Sequence, residues 1–228
     1  RCLDGDAAAA HCAALQGAGH RAIAVAADVT RQADVERLAQ AAVAAFGGVH
    51  VLVNNAGFAR DARITRLSEA DWDAVVDTVL KGAFLCTRAV APLMAAAKWG
   101  RVVNISSRAH LGNPGQANYS AAKAGILGLS AALALELGRD GITVNTIAPG
   151  FIETDGVRKL PHYAKIRDNA LARTPILVVS RLTPARDEYK EAAAALDWAT
   201  SNCWREIEHI DAPNGGSVAV LMPADRTR

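Results

Sequence analysis

Four short apolar runs recur along this chain, each bounded by turn residues and followed by a stretch with helical spacing. They are Ile23–Ala26, Val49–Val53, Arg101–Ile105 and Ile142–Ile147. Runs of this length predict strands buried on both faces, as in a parallel sheet. Between them, Gln32–Phe46 repeats Val35, Leu38, Ala39, Ala42, Val43 and Phe46 at helical intervals, and Gly47-Gly48 stop it. Ser68–Leu80, with Ser68 as cap and Asp71 behind it, and Gly82–Ala97 predict two further helices. Strands alternating with helices in this way imply an α/β fold with a doubly wound parallel sheet. In such sheets ligands collect at the carboxyl ends of the strands. Asp28, Asn54–Gly57, Ser106-Ser107 and Pro149-Gly150 each follow a predicted strand, so four polar or glycine-bearing motifs fall on one edge.

Composition narrows the function classes. The 228 residues are 51% hydrophobic and 21% charged with a net charge of +2, which suits one domain over 1–228 and gives no basic patch for nucleic acid. No apolar stretch approaches the ~20 residues of a membrane span, and no secretory signal opens the chain. Cys2, Cys12, Cys86 and Cys203 are scattered and the histidines form no ligand spacing, so reduced thiols, a cytoplasmic setting and no metal site are expected.

At the amino end, Asp4 or Asp6 is placed to cap an alanine-rich helix that Gly17 and Gly19 end. At the other end, Glu153–Leu171 and Asp187–Thr200 have helical character, Ile176–Val179 is an apolar run of no assigned role, and Gly215–Leu221 is expected to hold a last strand.

The chemistry concentrates in Asn118-Tyr119-Ser120-Ala121-Ala122-Lys123, at the start of an alanine-rich helix ending near Leu137. Tyrosine and lysine four apart share a helix face. A free phenol has a pKa near ~10, and a neighbouring ammonium lowers it by favouring the phenolate. A tyrosine so tuned passes a proton to or from a substrate oxygen. Taken alone, the pair is equally an ordinary buried tyrosine with a surface lysine one turn on.

Together, Asn54-Asn55-Ala56-Gly57, Asn104-Ile105-Ser106-Ser107, Gly115–Lys123 and Val144–Thr154 resemble the short-chain dehydrogenase/reductase family, and within it the 3-oxoacyl-(acyl-carrier-protein) reductase group. The resemblance runs from about Leu3 to Asp155. It implies a Rossmann-like domain that reduces a carbonyl, such as a 3-oxoacyl thioester, with NADP or NAD, or runs the reverse reaction. Tyr119 is then the general acid, with Lys123 lowering its pKa and holding the nicotinamide ribose, and a serine polarises the substrate oxygen. Ser107 lies at the family's usual distance from Asn104, and Ser106 at the commoner distance from Tyr119. Ser107 is favoured, and Ser106 is otherwise a strand-end hydroxyl satisfying backbone. Asp28 and Val29 receive the adenine, Asn55, Ala56 and Gly57 line the adenosine side, and Pro149, Gly150, Ile152 and Thr154 border the nicotinamide. Asn54 braces the central strand. The helices from Gly82 and around Tyr119 are the family's subunit contacts, which implies a homodimer or homotetramer.

Departures from the family pattern bear on each expectation. The chain as given lacks the first strand, the TGxxxGxG turn that cradles pyrophosphate at a helix N-terminus and most of the second strand, so it reads as N-terminally truncated, as a fragment or as closed by rearrangement or a partner. Val79 stands where the family carries a catalytic asparagine. Residues 156–228, the substrate and oligomer region, diverge apart from landmarks at Arg173–Ile176 and Gly215-Gly216. Cys2 is neutral where an acid selects NAD, and Arg1 can pair with a 2′-phosphate, a slight lean to NADP. Two other functions remain: a secondary-alcohol, steroid or sugar dehydrogenase of the same family, and a non-catalytic fragment that has lost cofactor binding.

Overall fold

The computed structural model describes the backbone of residues 5–150, 158, 163–164, 177–182, 204–211 and 217–223, and the side chains of these except 5–7 and the last three stretches. The helices are α1 (Gly5–Gly17), α2 (Gln32–Phe46), α3 (Glu69–Val76), α4 (Gly82–Ala96) and α5 (Ala117–Leu137). The strands are β1 (Val51–Asn54), β2 (Gly100–Ile105), β3 (Ile142–Ala148), β4 (Leu177–Leu182), β5 (Trp204–Asp211) and β6 (Ser217–Pro223). Short turns flank α5 at Arg108–Leu111 and Gly138–Asp140. The expected helices at 32–46, 68–80 and 82–97 are present, but the last two are continuous. A π-helical turn, Asp77–Lys81, joins α3 to α4. Ser68 caps α3 as its sequence predicts, accepting from the Asp71 backbone N–H at 3.1 Å while its hydroxyl donates to the Asp71 carboxylate at 2.8 Å.

The six strands form one sheet in the order β1-β2-β3-β4-β6-β5. Strands β1, β2 and β3 are parallel, with Asn54 beside Asn104 and Asn104 beside Thr146. The rest of the sheet is antiparallel, which corrects the all-parallel expectation. Of the run at Ile176–Val179, Leu177–Val179 lie in β4, and Ile176 lies outside the described residues. Strand β5 escaped sequence reading because a register shift between Glu206 and Glu208 breaks its alternation.

Helices α2, α4 and α5 pack side by side over β1–β3, making this an α/β fold of Rossmann type. Val90, Met94, Val102, Ala134, Ile142 and Val144 form the central core between sheet and helices. Among the described residues this is the covered face. On the opposite face Val51 and Val53 are 54% and 56% exposed.

Ile23–Ala26 is not a strand, contrary to its sequence reading, and Ile23 is 44% exposed. Every second residue there is alanine, so the run buries little. Its backbone is partly satisfied by side chains instead: Gln16 Nε2 donates to the Ala22 carbonyl and Arg37 to the Ala26 carbonyl, both at 2.9 Å. At the amino end Asp6 lies within α1, while Asp4 lies outside the described residues. So do most of the helical patterns at 153–171 and all of that at 187–200.

Two helical stretches, Glu69–Ala96 and Ala117–Asp140, are long and apolar enough to cross a membrane by length and composition. That differs from the sequence expectation, in which no apolar stretch approaches a membrane span. Both stretches pack on the sheet and on each other, so their apolar residues already serve a core.

Candidate active site

The site is built where β2 and β3 end and α5 begins. Strand β2 delivers Ser106 and Ser107, β3 delivers Pro149 and Gly150, and the loop after β1 delivers Asn55–Gly57. The first two turns of α5 carry Tyr119 and Lys123. Ser106 N–H donates to the Ile147 carbonyl at 2.7 Å and Arg108 N–H to the Pro149 carbonyl at 2.9 Å, so the two strand ends are tied together beyond the sheet.

The two serines have different surroundings. Ser106 is buried, and its hydroxyl donates to the Lys123 backbone carbonyl at 2.8 Å, fastening β2 to α5. Ser107 is half-buried, its hydroxyl accepts from the Ala109 N–H at 3.1 Å, and the same side chain acts on the Tyr119 phenol to favour the phenolate. His110 Nδ1 lies 2.7 Å from the Ser107 carbonyl.

Lys123 is buried, its Nζ donating to the Ile105 carbonyl at 2.6 Å and lying 5.5 Å from the centre of the Tyr119 ring. Burial lowers its pKa to about 8. The phenol moves the opposite way from its sequence expectation. Burial raises the Tyr119 pKa, the Ser107 hydrogen bond partly offsets this, and the Asp61 carboxylate raises it further. The Lys123 amine turns to the Ile105 carbonyl, and burial of the phenol dominates the shift.

Gly57 packs closely beside the amine. A Cβ on Gly57 would stand 3.0 Å from Val79 Cγ2 and 3.8 Å from Lys123 Nζ. Val79 itself is buried with Val75, Ala83, Ala122 and Ile126, and Tyr119 packs on the same cluster. Asn55 is exposed and Ala56 half-buried. Asn54 Nδ2 donates to Asn104 Oδ1 at 2.8 Å and Thr87 Oγ1 at 3.1 Å, so it braces β1 against β2 and α4.

Asp28 and Val29 lie apart from this group in chain order, before α2. The Asp28 carboxylate accepts from the Thr30 N–H at 3.0 Å and the Thr30 hydroxyl at 2.8 Å, and a Cβ at Gly82 would meet Val29 Cγ2 at 2.8 Å. Ile152 and Thr154 lie outside the described residues. Sequence reading gave no role to Asp61, His110 or the side chain of Asn118. They reach the site through loop packing that no local spacing signals.

The sequence matches the family described as short chain dehydrogenase over residues 3–164. The chain belongs to that family. It is 49% identical over 157 residues to the (2S)-[(R)-hydroxy(phenyl)methyl]succinyl-CoA dehydrogenase subunit BbsD of Thauera aromatica, covering 69% of this chain and 62% of that protein. It is 50% identical over 143 residues to a 3-oxoacyl-(acyl-carrier-protein) reductase of Synechocystis, covering 62% and 58% respectively. It is 45% identical over 150 residues to 3-oxoacyl-(acyl-carrier-protein) reductase FabG of Thermotoga maritima, covering 65% and 60%. The chain spans about three fifths of the length of these relatives.

Within this short-chain dehydrogenase, the lysine makes a testable contribution to stability. Its folded pKa of about 8 lies below the ordinary value of 10.5, so between these the unfolded chain binds more protons. Stability attributable to Lys123 therefore rises with pH across that window, as the buried ammonium becomes a neutral amine. Below the window the desolvation penalty is fully present. Thermal melts of Lys123→Met against wild type are expected to show this rise in wild type and its loss in the variant. Parallel pH profiles for both proteins would contradict it.

Proposed function

We propose that this short-chain dehydrogenase reduces a carbonyl to a secondary alcohol, or runs the reverse, with NADPH or NADH as partner and a 3-oxoacyl thioester as the preferred class of substrate. The observation that carries this reading is the grouping of Ser107, Tyr119 and Lys123 at the carboxyl edge of parallel strands. When bound, a nicotinamide cofactor supplies or accepts the hydride.

The residues beside Lys123 suit the nicotinamide end, because Gly57 places no Cβ in the space between Val79 and the amine. Lys123, Tyr119, Pro149 and Gly150 would border that end, with Asn55 and Ala56 toward the adenosine and Asp28 and Val29 at the adenine. Among the described residues no glycine-rich turn opens a helix to cradle pyrophosphate. Gly47 and Gly19 close helices instead.

In the reduction, the Ser107 hydroxyl donates a hydrogen bond to the substrate oxygen and stabilises charge developing there. Tyr119 transfers its proton to that oxygen as carbon gains the hydride. The raised phenol pKa keeps Tyr119 protonated through neutral pH, the form that reduction needs. The reverse direction needs the phenolate and speeds up as pH rises. Lys123, with a pKa of about 8, is able to exchange protons near neutral pH. Val79 contributes no donor or acceptor, so its side chain carries no proton.

The thioester reading draws on two kinds of relatives. The Synechocystis and Thermotoga proteins are named for 3-oxoacyl groups on acyl carrier protein, and the Thauera protein for a hydroxyl-bearing CoA thioester. Turnover of NADPH and NADH with acetoacetyl thioesters and a panel of simple ketones, sugars and steroids tests the assignment. A thioester is expected to give the highest kcat/KM. A preference for a sugar or steroid would replace the substrate class, and no cofactor binding at millimolar concentration would leave a non-catalytic chain.

A further inference from the structure

We propose that Asn118 is the positioning residue of this site: its buried amide clamps the loop that carries Asn55–Gly57 onto the first turn of α5, and thereby sets where the Tyr119 hydroxyl stands against Ser107. The proposal rests on Tyr119 as the proton-transfer group.

Asn118 is fully buried, and every polar atom of its side chain is engaged. Nδ2 donates to the Arg60 carbonyl at 3.1 Å and to the Asp71 carbonyl at 3.2 Å. Oδ1 accepts from the Tyr119 backbone N–H at 2.8 Å. That N–H belongs to the first turn of α5, where helical donors have no intrahelical carbonyl. One side chain thus joins three pieces: the loop after β1, helix α3, and the backbone of Tyr119 itself.

Other bonds link the same loop to α5, but they differ in kind. Ala62 N–H donates to the Gly115 carbonyl at 2.8 Å, and Gln116 Nε2 donates to both Asp61 oxygens at 3.0 Å. The Asp61–Gln116 contact is exposed, so water competes for it. The Asn118 bonds are not, and a fully satisfied buried amide holds its geometry more tightly. The chemistry is selective: aspartate lacks the two donors, serine lacks the reach and the second donor, and only an amide of this length offers two N–H groups opposite one acceptor.

The loop it holds is the one that packs on the site. Gly57 approaches Lys123 Nζ, and Asp61 acts on the charge of the phenol. Three groups set the Tyr119 environment: Asp61 on this loop, Ser107 after β2, and Lys123 on α5. Arg60 and Asp71, whose carbonyls the clamp holds, pair with each other through their side chains at 3.3 Å. Loosening the clamp relieves burial of the phenol and carries Asp61 away from it, and both changes lower its pKa.

Steady-state reduction of an acetoacetyl thioester with NADPH is compared in wild type, Asn118→Ala and Asn118→Asp. Both variants are expected to lose roughly tenfold to a hundredfold in kcat, the scale of a small misplacement of a reacting group, with KM for NADPH changed less than about threefold. Phenolate absorbance, read by difference against Tyr119→Phe, is expected to show the Tyr119 phenol titrating at lower pH in Asn118→Ala. Amide exchange separates the two halves of the clamp: the Tyr119 N–H is expected to exchange faster in Asn118→Ala and to stay slow in Asn118→Asp, which keeps the acceptor. Should Asn118→Ala fail to fold, Asn118→Ser carries the same readouts. A lowered melting temperature with unchanged kcat and unchanged phenol titration would show a purely structural asparagine and overturn the proposal. If wild type turns over no carbonyl, the proposed function falls instead, and the phenol titration alone decides whether Asn118 positions Tyr119.

Discussion

Tyr119→Phe is expected to reduce kcat for carbonyl reduction by roughly 10²–10⁴-fold, the usual contribution of a positioned general acid. The substitution removes one hydroxyl and leaves the ring. The ring packs on the cluster of Val75, Val79, Ala83, Ala122 and Ile126, so melting temperature and cofactor affinity should stay near wild type. Ser107 keeps the hydrogen bond it accepts from Ala109 and is not orphaned. Steady-state kinetics with an acetoacetyl thioester, alongside NADPH fluorescence titration, separates the two effects. A rate within about threefold of wild type would be too small a loss for the general acid and would move proton transfer to another group. A parallel loss of cofactor binding would instead mean that the phenol holds the cofactor.

The largest effect on stability is expected at Asn104. It is fully buried, accepts from Asn54 Nδ2 at 2.8 Å and donates to Ser130 Oγ at 2.8 Å. Ser130 in turn accepts from Thr146 Oγ1 and donates to the Ile126 carbonyl, both at 2.7 Å. The network crosses β1, β2 and β3 and reaches α5, with Thr87 of α4 at its other end. Asn104→Ala leaves Asn54 with Thr87 and Ser130 with Thr146, so neither group is wholly orphaned. A loss of about 1–2 kcal/mol follows, the scale of losing two buried hydrogen bonds without orphaning either partner. Urea unfolding should show a lower midpoint at unchanged m. A midpoint shift equivalent to less than about 0.5 kcal/mol, the scale of a surface substitution, would mean that the network adds little beyond packing.

Much of this protein was legible from residue order. The runs at 49–53, 101–105 and 142–147 are strands, shifted by a residue or two, because apolar residues between turn signals have few other places to go. Ser68 caps its helix through Asp71, a contact within one turn. The Tyr119–Lys123 spacing puts both on one face of α5 by helix geometry alone. The motif order also carried the family, which the match over 3–164 shows independently.

Other features depended on groups distant in the chain. Ile23–Ala26 resembles a strand locally, but a strand also needs a neighbour, and its carbonyls at Ala22 and Ala26 bond to side chains instead. Strand β5 is concealed by a bulge that only its partner β6 reveals. Tyr119 and Lys123 were correctly placed four apart, yet the sign of the phenol's pKa shift was not legible. Proximity on a helix predicts a lowered value, whereas burial of the phenol, whose ring packs on the cluster around Val79, raises it.

The sequence by itself determined the order of elements, the family and the pairing of a phenol with an amine on one helix, because each follows from contacts within a turn or a short motif. Only the tertiary structure decided which serine meets the phenol, where the amine points and what clamps the helix in place. Those depend on desolvation and on hydrogen bonds between residues up to 58 positions apart, as from Asn118 to Arg60, and no local pattern encodes them.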